Sequence, residues 1–104
     1  MAKAKPVNNL CIYRVKKGKE AAFAAILKKH WPALRKAGLA AAEKPVAWRG
    51  HAKDGKTMFI ELFQWRDAEA IQAAHALPEV MAVWEPMGAL CDGMEFVEVA
   101  PQRL

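Results

Sequence analysis

Strand-like and helix-like patterns follow one another in the order strand, helix, strand, strand, helix, strand within 104 residues. That order leaves few folds open. A strand pattern covers Asn9–Val15, and Lys17-Gly18-Lys19 turns the chain out of it. The helix that follows puts Phe23, Ile26, Leu27, His30, Trp31 and Leu34 on one stripe at i, i+3, i+4 spacing. Pro32 removes a backbone donor inside this helix and predicts a kink there. Gly38 is a natural stop. A second strand is expected over Pro45–Lys53. Asp54-Gly55 reads as a hairpin turn, and the third strand over Thr57–Trp65. Asp67 is placed to cap the next helix. Ala68, Ile71, Ala74 and His75 lie near one face of it. Pro78 opens a new helical segment after Leu77. Val80, Met81, Trp84 and Met87 continue the apolar stripe, and Pro86-Met87-Gly88 is expected to end or kink it. The last strand is expected over Met94–Ala100.

This is a split βαβ plan, the ferredoxin-like α+β arrangement with a four-stranded antiparallel sheet. The third strand adds a constraint on assembly. Phe59, Phe63 and Trp65 share one face with Glu61, the strand's single charge, while Met58, Ile60, Leu62 and Gln64 share the other. Both faces are mostly apolar, so both need cover. Helices can cover one. The other calls for a second layer, which a homodimer stacking sheet on sheet would supply. One domain is expected over residues 8–104, with residues 1–7 a flexible N-terminal segment.

Composition narrows the function classes. No stretch is apolar for long enough to span a bilayer, and no apolar run follows the basic opening to make a secretory signal. Cys11 and Cys91 sit apart among apolar neighbours and read as reduced, buried thiols. These features favour the cytoplasm. The net charge of +5 is unevenly spread. Residues 1–38 hold ten Lys or Arg and one acid, and residues 39–104 hold six Lys or Arg and ten acids. Most of the basic residues cluster in and around one helix and read as its solvated face, so no specific nucleic-acid partner is expected. Three histidines and two lone cysteines show no metal-ligand spacing. No GxGxxG, Walker-type loop or GxSxG occurs. No metal or other cofactor is expected.

Several stretches together carry a resemblance. They are Tyr13–Glu20 leading into Phe23, then Leu62-Phe63-Gln64-Trp65, then Arg66–Ala70, and His75-Ala76-Leu77-Pro78-Glu79-Val80 with its His-x-x-Pro break. In these the chain resembles the dimeric α+β barrel superfamily, and within it the antibiotic biosynthesis monooxygenase-like proteins. The resemblance implies a homodimeric α+β barrel and a pocket for a small aromatic or apolar molecule. The haem-degrading members use an Asn, a Trp and a His that fall here on Cys11, Ala74 and Trp84, so haem degradation is not expected.

A cofactor-independent monooxygenase must hold a phenol- or quinol-type ring, take a proton from it and stabilise the anion. His75 is the candidate base, because imidazole titrates near neutral pH. Trp65, Trp84 and Phe63 are candidate ring contacts, and Arg49 or His51 could hold an oxyanion. Each has a plainer alternative. His75 could simply satisfy the Pro78 break, the tryptophans could be core, and Arg49 and His51 could be exposed strand residues. His30 reads as a satisfied histidine at the edge of the core. Two other functions fit the same fold. One is a non-catalytic dimeric binder of a small apolar ligand. The other is an RNA-recognition module, although Thr57 stands where that motif has its first aromatic.

Overall fold

The computed structural model describes residues 5–104. The elements run β1 (Val7–Val15), α1 (Glu20–Leu27), α2 (His30–Lys36), β2 (Val46–His51), β3 (Thr57–Trp65), α3 (Ala68–His75), α4 (Pro78–Ala89) and β4 (Cys91–Glu98). The four strands form one antiparallel sheet in the order β2-β3-β1-β4. The helices cover one face of it. This is the ferredoxin-like α+β fold.

The third strand lies where the residue pattern put it. Asp54 and Gly55 close the hairpin: the Gly55 N–H bonds the Ala52 carbonyl at 2.9 Å, and Asp54 Oδ1 accepts from the Lys56 N–H. Asp67 caps α3 by accepting from the Ala70 N–H at 2.9 Å. Pro78 opens α4. Gly38, at φ +76°, ends α2. Its N–H bonds the Arg35 carbonyl and the Leu39 N–H bonds the Leu34 carbonyl. That paired return is the Schellman closure, and Leu34 and Leu39 are both buried beside it.

Four boundaries differ from expectation. The first helix breaks at Lys28-Lys29 rather than kinking at Pro32. The proline ring would strike the carbonyl one turn back, so the chain restarts and Pro32 falls in the first turn of α2, where its missing donor costs nothing. Pro86 does not end α4, which runs on to Ala89. The last strand starts at Cys91, ahead of Met94. Asp92 lies at an irregularity in its pairing with β1, where Arg14 faces Gly93 and Val15 faces Cys91. Val7 pairs with Trp65, so β1 begins inside the expected N-terminal segment. Residues 1–4 of that segment lie outside the described residues.

Strand registry sorts the side chains into two faces. Cys11 and Tyr13 of β1, Phe59, Glu61, Phe63 and Trp65 of β3, and Met94 and Phe96 of β4 face the helices. Phe23, Leu34, Ala70, Ala74, Val80 and Met87 pack down onto them as the core. Leu10, Ile12, Ile60, Leu62, Trp48 and Val97 face the other way. Trp48 is 50 % exposed there. The molecule measures 49 × 41 × 19 Å, the thickness of one helix layer on one sheet.

Candidate functional site

Period-two alternation along β1 sends Asn9, Cys11 and Tyr13 to the helix side. There they form the floor of a cavity of about 380 Å³ between the sheet and α3 and α4. Phe63 and Trp65 come up from β3. Trp84 and Met87 come down from α4, and His75 from the end of α3. Met94 and the 57 % exposed Phe96 rim the opening. The walls are almost wholly aromatic or thioether, which suits a flat apolar ring. The aromatic rings meet edge to face: Phe63 with Trp65 at 5.1 Å, Trp65 with Trp84 at 6.2 Å and His75 with Trp84 at 5.0 Å between centroids.

Beneath this wall lies a buried polar chain. Glu61 is 2 % exposed and His30 3 %. Tyr13 donates its hydroxyl to Glu61 Oε1 at 2.9 Å, and His30 Nδ1 meets the same oxygen at 2.8 Å. Trp84 Nε1–H donates to His30 Nε2 at 2.9 Å. Buried carboxylates and imidazoles need such partners. Burial, reinforced by the Glu61 charge, pushes the Tyr13 hydroxyl well above its ordinary range, so it stays a donor. Burial likewise pushes the Cys11 thiol up to about 12, although Asn9 donates to its sulfur at 3.2 Å. Cys11 is therefore a neutral lining group and not a thiolate nucleophile.

Of the residues singled out in the sequence, His75, Trp65, Trp84 and Phe63 meet at this cavity. Arg49 does not reach it. It stands over the Phe59 ring, 5.6 Å from the centroid, in an open groove toward the β2 edge. His51 is exposed at the end of β2 and lines neither space. Both follow from register: Arg49 pairs with Phe59 and His51 with Thr57, at the hairpin end of the sheet. The residues missed are Glu61, His30, Tyr13, Cys11 and Asn9. A lone carboxylate among Phe59, Phe63 and Trp65 was the available signal, since a charge on a buried face demands a partner. No group of three metal-ligating side chains is found among the described residues.

No protein-family model and no curated protein matches the sequence. Solved structures do match. The cofactor-independent oxygenase SnoaB from Streptomyces nogalater superimposes with a TM-score of 0.70 at 19 % identity, over 97 % of each chain. This chain has its fold. A candidate antibiotic biosynthesis monooxygenase from Nitrosomonas europaea matches at 0.68 with 12 % identity, over 97 % of this chain and 94 % of that one. A dimeric ferredoxin-like protein of unknown function from Bacteroides fragilis matches at 0.69 with 8 % identity, over 93 % and 98 %. The ferredoxin-like α+β fold expected from the sequence is thus the fold found, and these proteins share it. None of the helices among the described residues is long and apolar enough to cross a membrane. The β3 aromatics all point under the helices, whereas an RNA-recognition module needs them on the open face. Glu61 shares their side.

Proposed function

We propose that this chain is an antibiotic biosynthesis monooxygenase-like protein, which binds a small phenol- or quinol-type ring in the cavity and oxygenates it without a cofactor. The observation that carries the reading is the aromatic-walled cavity of about 380 Å³ with His75 at its mouth. Neither ring nitrogen of His75 has a hydrogen-bond partner among the described residues, so both can meet a ligand. Likeness of fold to a cofactor-independent oxygenase supports the reading. In it, Trp65, Phe63 and Trp84 hold the ring and His75 takes the hydroxyl proton. The ring supplies its own electrons: a phenol and dioxygen give a quinone and water, one oxygen atom entering the ring and the other leaving. Arg49 and His51 lie too far from this cavity to hold the anion, and they have no part in the reading.

A homodimer working in the cytoplasm, with no specific nucleic-acid partner, completes the proposal. Its free, buried thiols suit a reducing compartment. A second reading, a non-catalytic binder of small apolar molecules, is favoured by one observation: the other imidazole of the cavity, His30, is already hydrogen-bonded at both nitrogens. Oxygen-electrode traces with a panel of electron-rich phenols and quinols, with no added metal, flavin or haem, separate the two. Uptake above the uncatalysed rate supports the oxygenase. Binding without uptake across the panel supports the binder.

A further inference from the structure

The buried polar chain has a direction, and that direction selects a ligand. An indole N–H can only donate. Trp84 Nε1–H points at His30 Nε2 across 2.9 Å, so Nε2 carries a lone pair and the ring proton sits on Nδ1. Nδ1–H then donates to Glu61 Oε1 at 2.8 Å, and the Tyr13 hydroxyl donates to the same oxygen. The carboxylate fixes the tautomer and makes Nε2 a better acceptor. His30 and Trp84 both line the cavity. Stability gives little reason for the arrangement, because a buried acid and imidazole hold a fold together no better than apolar residues of their size.

We infer that His30 Nε2 is the hydroxyl-recognition point of this cavity: it accepts a hydrogen bond from a ring hydroxyl of the ligand, in a quinol the hydroxyl other than the one whose proton goes to His75, and Trp84 occupies it until the ligand arrives. Glu61 is the positioning residue that keeps the lone pair turned outward. Trp84 is half-buried on α4 and is held at its polar end by this one bond, so its indole can swing toward the mouth and free the nitrogen. The inference rests on the cavity being the ligand site, and not on turnover.

The consequence is selectivity for the reduced ring. A phenol or quinol brings an O–H to the lone pair. A quinone or a methyl ether brings only acceptors and meets lone pair with lone pair. Trp84 can cap Nε2 again when such a ligand binds, so no buried group is left unpaired. In wild type the ligand's O–H replaces the indole N–H at Nε2, so the discrimination is the difference between two hydrogen bonds and falls below the roughly tenfold that one whole bond is worth. An oxygenated product lacking the hydroxyl would be released by the same contact that holds its precursor.

Isothermal titration with 1-naphthol and 1-methoxynaphthalene tests this on wild type, His30→Phe and Trp84→Phe. Wild type should prefer the naphthol by less than about tenfold, and His30→Phe should bind both equally. Trp84→Phe keeps the imidazole and removes its competitor, so it should widen the preference; it also keeps the test alive if His30→Phe does not fold. A preference that survives in His30→Phe overturns the inference. So does a preference that vanishes in Trp84→Phe, since the indole itself would then be the recognising group. Equal binding of both compounds by wild type and by Trp84→Phe alike sinks the inference and leaves the proposed function standing. Binding of neither removes both.

Discussion

A carboxylate only 2 % exposed beneath a helix layer persists because one of its oxygens receives two donors. Glu61→Leu would strand the Tyr13 hydroxyl and His30 Nδ1–H in the core. It should cost about 3 kcal/mol or more, the scale for breaking a buried polar pair. Glu61→Gln keeps an acceptor oxygen in place and should cost well under half of that; urea unfolding of the two variants compares them. His75 is a different case. It is exposed at the cavity mouth and lacks a hydrogen bond among the described residues. His75→Ala should therefore leave the unfolding midpoint nearly unchanged and, if the chain is an oxygenase, lower the turnover rate about a hundredfold. Alkaline pH probes the floor. Burial raises the Cys11 thiol from 9.0 to about 12, and the buried Tyr13 hydroxyl shifts in the same direction. Both groups are neutral when protonated and ionise first in the unfolded chain. Their contribution is therefore whole below about pH 9 and is lost as pH rises toward 12. Unfolding midpoints should be flat near neutrality and fall above pH 9, with a shallower fall in Cys11→Val. The cavity's aromatic members were legible at this scale because large rings on a buried strand and helix stripe converge. The Glu61–His30–Trp84 chain was not. Its partners are 31 and 54 residues apart, and the pattern shows which face a residue takes but not whom it meets across the layer.

Elements were legible where the signal is local. The Asp54-Gly55 turn, the Asp67 cap and the Gly38 stop are each settled by a few neighbouring residues, and all three are where the sequence put them. Gly38 allows a clean measurement. It sits at φ +76° with nothing within 4 Å of where a Cβ would stand. Gly38→Ala should therefore pay only the left-handed backbone penalty, about 1 kcal/mol, with no steric addition. Denaturant titration checks it; a loss several times larger would mean that the Leu34–Leu39 closure had been broken as well. The element boundaries that escaped the sequence are those where tertiary contacts decide. The break at Lys28-Lys29 leaves Phe23 of α1 and His30 of α2 both buried. The early start of β4 places Cys91 in the core opposite Val15. Neither is visible in a window of neighbours, because Pro32 and Pro86-Met87-Gly88 signal an interruption without saying on which side of it the chain resumes.

At the scale of the molecule the open question is the bare sheet face. Leu10, Ile12, Ile60, Leu62, Val46, Trp48 and Val97 project from it across four strands, and Val46, Trp48 and Val97 are substantially exposed. An apolar sheet face of this extent is an association surface or an aggregation liability. The charges beside it oppose random stacking: Arg14 and Glu95 pair with each other at 2.6 Å on the same side. A second copy is the occupant that fits best. It brings an identical apolar face, closes both sheets into the barrel that the sequence resemblance implies, and adds the layer that a 19 Å thick molecule lacks. The chain should therefore sediment as a homodimer at micromolar concentration, with roughly 2,000 Å² or more buried in total. Ile60 sits near the centre of the face, between Ile12 on β1 and Trp48 on β2. Ile60→Glu places a charge there in each copy, and desolvating two like charges costs more than one such interface can return. The variant should sediment as a monomer and keep its helical circular dichroism, because the helix side of the sheet is untouched. Wild type running as a monomer would refute the stacked dimer. An Ile60→Glu protein that stayed dimeric would move the interface to another surface, with the β2 edge the next to test.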